Sequence, residues 1–123
     1  MIAKWVDIDG AWRVVIFYDV TDSDAAWVAE RFGDAGAMES DCDNLFELFS
    51  YPNRAAMISD RDQKMSVVAI GWATDKMQRI NSVIHEIDHV QRDICDYYNV
   101  PLGSERAAYL QGKLAQELII LES

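Results

Sequence analysis

The stretch from Asp75 to Tyr98 reads DKMQRINSVIHEIDHVQRDICDYY, and it decides the fold. Its apolar residues recur every three or four positions, which is the spacing of a helix that buries one side. The spacing predicts a long helix with Thr74 as its N-cap and with breakers at Asn99, Pro101 and Gly103. The apolar stripe consists of Ile80, Val83, Ile84, Ile87, Val90 and Ile94.

Both histidines of the chain lie in this stretch, at His85 and His89, and Glu86 follows the first directly. On a helix the two imidazoles project about 40° apart, so both can reach one metal ion. They lie opposite the apolar stripe and should therefore face away from the core. In an H-E-x-x-H arrangement the histidines hold Zn²⁺ and the glutamate takes a proton from the attacking water. The alternative is a pair of surface histidines on a solvated helix face.

A catalytic zinc site needs a third protein ligand, and the absence of a third histidine from the sequence points to a carboxylate. Glu105 fits this requirement because it follows His89 by sixteen positions and begins the next predicted helix. Its helix face also carries Tyr109, Gly112 and Gln116, and Gly112 would let that face approach the histidines closely.

Two aspartates on the histidine helix compete with Glu105 as the third ligand. Asp96 shares the direction of the histidines but lies roughly 10 Å further along the helix axis. Asp93 is nearer to His89, although its direction diverges from that of His85. Without a metal, Glu105 would be a first-turn acid that interacts favourably with the helix dipole.

The rest of the chain predicts a small α+β domain that spans residues 1–123. WRVVIFYDV, from Trp12 to Val20, is typical of a central strand. The order β-α-α-β-β-α-α predicts a mostly antiparallel sheet covered by helices. Two further helices are predicted at about 25–32 and 41–49, followed by a hairpin whose strands, 53–59 and 64–72, flank the turn DRDQ. A last helix is predicted from Glu105 to about Leu121, with Ser104 as its N-cap.

Composition limits the partners and the compartment. The net charge of −10 disfavours binding to nucleic acid or to an anionic membrane surface. Cys42 and Cys95 form no C-x-x-C pair and are expected to be thiols in a reducing compartment. The N-terminus does not resemble a signal peptide, and no apolar run is long enough to span a membrane, so we expect a cytoplasmic protein.

HEIDH followed by SERAAYLQG resembles the gluzincin metallopeptidases, in which a second helix supplies a glutamate ligand. The small size is similar to that of zincin-like domains encoded by phages and mobile elements. The resemblance is specific over about Lys64 to Glu122. It implies a minimal zincin-like fold in which His85, His89 and Glu105 bind zinc and Glu86 is the general base. It also implies that the strand near Met65 to Ile70 is the edge that pairs with a peptide substrate.

The resemblance implies a zinc-dependent metallopeptidase that hydrolyses peptide bonds, with a protein or peptide as its partner. The chain departs from the larger peptidases because it has no second lobe and no recognisable oxyanion motif. Tyr109 is the best substitute, followed by Tyr97 and Tyr98, although each could instead pack between helices. The departures leave two alternatives, a non-proteolytic zinc-binding regulatory or interaction module and a structural protein with an accidental motif.

Overall fold

A computed structural model describes residues 1–120 as a four-stranded sheet with two helices on each face. The α+β prediction is confirmed. The elements are β1 (Ile2–Ile8), β2 (Trp12–Val20), a 3-10 turn (Asp22–Asp24), α1 (Ala25–Asp34), α2 (Glu39–Leu48), β3 (Ala55–Asp60), β4 (Met65–Gly71), α3 (Lys76–Tyr98) and α4 (Glu105–Leu118). The strand order is β1-β2-β4-β3, and β2 and β4 are parallel while the two outer pairings are antiparallel.

The central strand β2 is buried because helices cover both faces of the sheet. Val14 and Ile16 face α3 and α4, while Val15 and Phe17 face α1 and α2. This alternation is the two-residue period of a strand, and here both sets of side chains are apolar. The continuous apolar run in the sequence therefore reflects two cores on opposite sides of one sheet.

The ends of the two C-terminal helices follow ordinary capping rules. Asp75, and not Thr74, is the N-cap of α3, because its side chain accepts a hydrogen bond from the Gln78 amide. Asn99 ends α3 in the left-handed conformation, with φ of 56°. Ser104 caps α4 as predicted. The predicted helix end at Leu121 lies outside the described residues.

Two features of the sheet differ from the sequence prediction. The strand β1 was not predicted, because only Val6 and Ile8 of its seven residues are buried and its pattern is weak. The strand β4 was expected at an edge but lies between β2 and β3. Its nearly complete burial explains the position, since an apolar run without alternation is typical of an interior strand. The edges are β1 and β3.

No helix within residues 1–120 is long and apolar enough to cross a membrane.

Tyr18 ties the sheet to the C-terminal end of α4. Its buried hydroxyl donates a hydrogen bond of 2.6 Å to the carbonyl of Leu118. Burial raises the pKa of Tyr18 to about 12 from 10.0, and the charge of Arg79 opposes part of that rise. The neutral phenol is therefore the form that the fold stabilises.

We expect the free energy of unfolding to fall between about pH 10 and pH 12. Because the pKa of Tyr18 is higher in the folded state, the unfolded state loses the phenol proton at a lower pH. The contribution of the neutral phenol to stability is therefore complete below about pH 10 and declines as the pH rises through about 12. The loss should be on the order of 2 kcal/mol. Urea unfolding of the wild type and of Tyr18→Phe across this range measures it. The Phe variant, less stable at neutral pH by about 1 kcal/mol, should lack this component of the alkaline decline; an identical decline in both proteins would contradict the assignment.

Candidate functional site

The two histidines lie on the outer side of α3, as the sequence predicted. Val83, Ile87 and Val90 face the sheet and are buried, whereas His85 and His89 are exposed. The Nε2 atoms of the two imidazoles are 3.3 Å apart. One helical turn thus brings two imidazole nitrogens together at the surface.

The spacing of the imidazoles fits a shared metal ion. If both Nε2 atoms lay 2.0–2.1 Å from one ion, a separation of 3.3 Å would correspond to an angle of about 107° at the ion, close to the tetrahedral value. The same separation suits one N–H···N hydrogen bond between neutral imidazoles, whose donor depends on the tautomer. The pair by itself is therefore compatible with a metal but does not require one.

Glu86 is the buried member of the motif. It is 5% exposed, and its Oε1 lies 3.9 Å from Nε2 of His85. Burial raises the pKa of the Glu86 carboxyl, and His85 and His89 offset part of the rise. A carboxyl group in this position is shielded from bulk water while it remains next to an exposed imidazole.

Glu86 and His85 open onto a shallow groove of about 280 Å³. The groove lies between the start of β3, the end of α2 and the first half of α3. Arg54 is one of the lining residues, and the sequence does not indicate this because Arg54 lies in a loop far from the motif in the chain. The lining residues are Leu48, Asn53, Arg54, Ala55, Asn81, Ser82, His85 and Glu86.

The loop that carries Arg54 is held in place by its neighbours. The Asn53 side chain accepts a hydrogen bond of 3.0 Å from the Thr74 amide and donates one of 3.2 Å to the Thr74 hydroxyl. The Gly71 amide donates to the Arg54 carbonyl at 2.8 Å. A Cβ atom at Gly71 would lie 2.8 Å from that carbonyl, so glycine permits the close approach. The groove is thus attached to both β4 and the start of α3.

A chain of hydrogen bonds holds α3 against the sheet near the histidines. Trp12 donates from Nε1 to the Ser66 hydroxyl at 3.0 Å, and the Ser66 and Ser59 hydroxyls are 2.7 Å apart. Ser59 in turn donates to Asp93 at 2.6 Å. Because Ser59 gives its one proton to the carboxylate, Ser66 must be the donor to Ser59. The chain therefore runs in one direction from β2 to α3.

The prediction of a zinc-centred, metal-binding site built from His85, His89 and Glu105 was wrong. Within residues 1–120, no group of three or more His, Cys, Asp or Glu side chains is placed so that it could hold a metal ion. The two histidines come together, but Glu105 does not join them. It lines a second and larger cavity, on the side of α3 that faces α4.

The error arose from the choice of helix face. Gln91 donates a hydrogen bond of 2.9 Å to the Ala107 carbonyl, so α4 packs on the side of α3 that carries Gln91. That side is about 120° around the helix from His85. A Cβ atom at Gly112 would meet nothing within 4 Å, so the predicted close approach at Gly112 does not occur.

The tyrosines considered for the oxyanion role lie away from the groove. Tyr109 is 61% exposed and lines the same cavity as Glu105. Tyr97 packs edge-on against Trp12, with ring centroids 5.5 Å apart. Tyr98 donates from its hydroxyl to the Ala11 carbonyl. None of the three lines the groove at Glu86.

The two aspartates that competed with Glu105 have other partners. Asp93 accepts the hydrogen bond from Ser59, and Asp96 forms an exposed ion pair of 2.7 Å with Arg61. Both contacts attach α3 to the β3–β4 hairpin. Neither aspartate supplies a third ligand beside the histidines.

Comparison of the chain with protein-family models, with curated proteins and with solved structures found no match. The resemblance to the gluzincins therefore depends on the motif residues alone.

Replacement of Asp93 by alanine should lower the free energy of unfolding by about 1–3 kcal/mol, because it leaves the half-buried Ser59 hydroxyl without its acceptor at the end of the hydrogen-bond chain. Asp96→Ala is the matched control, since it removes an exposed ion pair from the same helix and should change stability by less than about 1 kcal/mol. Urea unfolding of both variants measures the difference. Equal small effects would show that the hydrogen-bond chain does not hold α3.

Proposed function

We propose that the chain is a metal-assisted peptide hydrolase whose working residues are His85, Glu86 and His89. The observation that carries this proposal is the 3.3 Å separation of the two imidazole nitrogens, next to a buried carboxylate that opens onto a groove. The three-ligand zinc site is not part of the proposal, because the chain supplies two imidazoles only. The remaining positions of the cation would be filled by water, by the substrate or by a donor from another molecule.

Each residue has a distinct task in this proposal. His85 and His89 would hold a divalent cation beside the groove, which His85 lines. Such a cation, when bound, polarises a carbonyl oxygen and makes water a stronger acid. Glu86 accepts the proton of the attacking water and passes it to the leaving amine. Arg54 lines the same groove and donates to the oxygen on which negative charge develops.

The edge strand β3 suits the peptide substrate. Among the described residues 1–120 it pairs with β4 alone, so its other edge can accept an extended chain by main-chain hydrogen bonds. Ala55, the first residue of β3, lines the groove together with Glu86. A peptide that lengthens the sheet at β3 would therefore pass beside the motif. The resemblance implied β4 for this role, and β4 is an interior strand.

The absence of a third ligand among residues 1–120 favours a second candidate function. A cation held by two exposed histidines keeps positions open for a donor from a partner protein, which is the arrangement of a metal-dependent interaction module. Such a module would bind the cation and a partner without cleavage. The two functions differ in whether the chain cleaves a peptide once the cation is bound.

Replacement of Glu86 by glutamine should lower kcat for peptide cleavage by about 10²-fold or more, because the amide has the shape of the carboxylate but cannot accept the proton. The measurement is cleavage of a mixed peptide library by the purified chain supplied with a divalent cation, followed by mass spectrometry. Glu47→Gln is the control, since Glu47 is an exposed glutamate of α2 that does not line the groove. Cleavage by the wild type that persists in Glu86→Gln would refute the role of Glu86, and an inactive but metal-binding wild type would favour the interaction module.

Replacement of His89 by alanine should weaken cation binding at least about tenfold, because one of two protein ligands is lost. Glu105→Gln should leave the affinity unchanged, since Glu105 lines a different cavity. Titration with Zn²⁺, Mn²⁺ and Co²⁺ against a fluorescent chelator measures both variants. A wild type that binds none of these ions would overturn the proposed function. If Glu105→Gln lost as much cation affinity as His89→Ala, Glu105 would have to be a metal ligand after all.

A further inference from the structure

The cavity that contains Glu105 is a separate feature of the molecule. It has a volume of about 550 Å³ and lies between the β1–β2 turn, the last turns of α3 and the start of α4. Its volume is in the range of pockets that take small organic ligands. His85 and Glu86 line a different groove.

The inner surface of the cavity is apolar and aromatic. Ile8, Trp12 and Ile94 are almost completely buried in the protein and line it. The polar atoms of Trp12 and Tyr98 already have partners, because Trp12 donates to Ser66 and Tyr98 donates to the Ala11 carbonyl. These two residues therefore offer the faces of their rings to a ligand. Selection between ligands of different charge depends on the residues at the rim of the cavity.

The charges at the rim are predominantly negative. Asp9 and Glu105 contribute carboxylates, and Arg106 contributes one guanidinium. All three residues are exposed, so they can contact a ligand in the cavity without first losing a buried partner. Arg106 also lies close enough to the buried Cys95 thiol to lower its pKa, although burial of Cys95 has the larger, opposite effect. The excess of carboxylates has the same sign as the net charge of −10 on the chain.

We propose that this cavity binds a small organic amine, with an apolar body against Trp12, Tyr98 and Ile94 and an ammonium group at Asp9 and Glu105. Aromatic rings and carboxylates both attract an ammonium ion, and the two attractions reinforce each other where water is partly excluded. An anion of the same shape would meet two carboxylates and one guanidinium. A neutral molecule would gain the apolar contacts alone.

The charge preference is tested with three indole compounds of similar size and different charge. Isothermal titration of the full chain with tryptamine, indole-3-acetamide and indole-3-acetate compares a cation, a neutral molecule and an anion. Tryptamine should bind about tenfold or more tightly than either of the others, which corresponds to one favourable charge contact. Equal or tighter binding of the acetate would overturn the proposal, and so would the absence of any binding by tryptamine.

Neighbouring residues at the rim provide matched variants of opposite sign. Glu105→Gln should weaken tryptamine binding several-fold, whereas Arg106→Gln should strengthen it, because the Arg106 substitution removes a charge that repels the ammonium group. Asp9→Asn should also weaken binding, and asparagine tolerates the positive φ of 53° at this position. Changes in the same direction in Glu105→Gln and Arg106→Gln would contradict the charge assignment.

A filling variant tests the location. Leu110 is half-buried in the lining, and Leu110→Trp should occupy the cavity and abolish tryptamine binding while the circular dichroism spectrum is retained. If that variant does not fold, Val100→Phe, on the loop between α3 and α4, serves the same purpose. Glu86→Gln should bind tryptamine like the wild type, so the result is independent of the proposed hydrolase. Unchanged binding in a folded filling variant would place the ligand elsewhere and overturn the proposal.

Discussion

The burial of one side of α3 against the sheet is the constraint on which the rest of the structure depends. Val83, Ile87, Val90 and Ile94 are each at most 5% exposed, and each such side chain contributes roughly 1.5–3 kcal/mol when it leaves water. This stripe fixes the rotation of the helix about its axis. Every other residue of α3 then has a determined direction, and the histidines are left on the outer side.

The rotation of α3 also separates two environments along its flanks. Glu86 lies on the flank that faces β3, where its carboxyl is buried close to an exposed imidazole. Gln91 and Cys95 lie on the flank that faces α4, next to the apolar cavity. A single helix thus separates a polar groove from an apolar cavity. The two could be altered independently, since they share no lining residue.

The sequence predicted the elements that local periodicity defines. The strand Trp12–Val20, the hairpin around 61–64, and the helices α3 and α4 were all anticipated, because each has a regular apolar pattern of its own. The exposure of the histidines followed from the same pattern. The strand β1 was missed because an edge strand with two buried residues has almost no pattern to read.

The separation of Glu105 from the histidines could not be predicted from the sequence, because it depends on how two helices meet. Whether Glu105 reaches the histidines is decided by the side of α3 on which α4 packs. The contact between the two helices involves Gln91 of α3 and the small residue Ala107 of α4. In the sequence, neither residue can be distinguished from one at a solvent-exposed position of a helix. Arg54 was missed for a similar reason, since its place in the groove comes from the contact of its carbonyl with Gly71 and of the neighbouring Asn53 with Thr74, both distant in the chain.

The parallel pairing of β2 and β4 has a consequence for the order of folding. The elements α1, α2 and β3 lie between these two strands in the chain. The pairing of β2 with β4 therefore closes a long loop, and closing that loop costs conformational entropy. The apolar surface on which α3 packs includes Val68 and Ile70 of β4 as well as residues of β2. This surface is complete only after β2 and β4 have paired. Because non-local contacts of this kind form slowly, we expect the outer face of α3, with its pair of imidazoles, to become ordered late in folding.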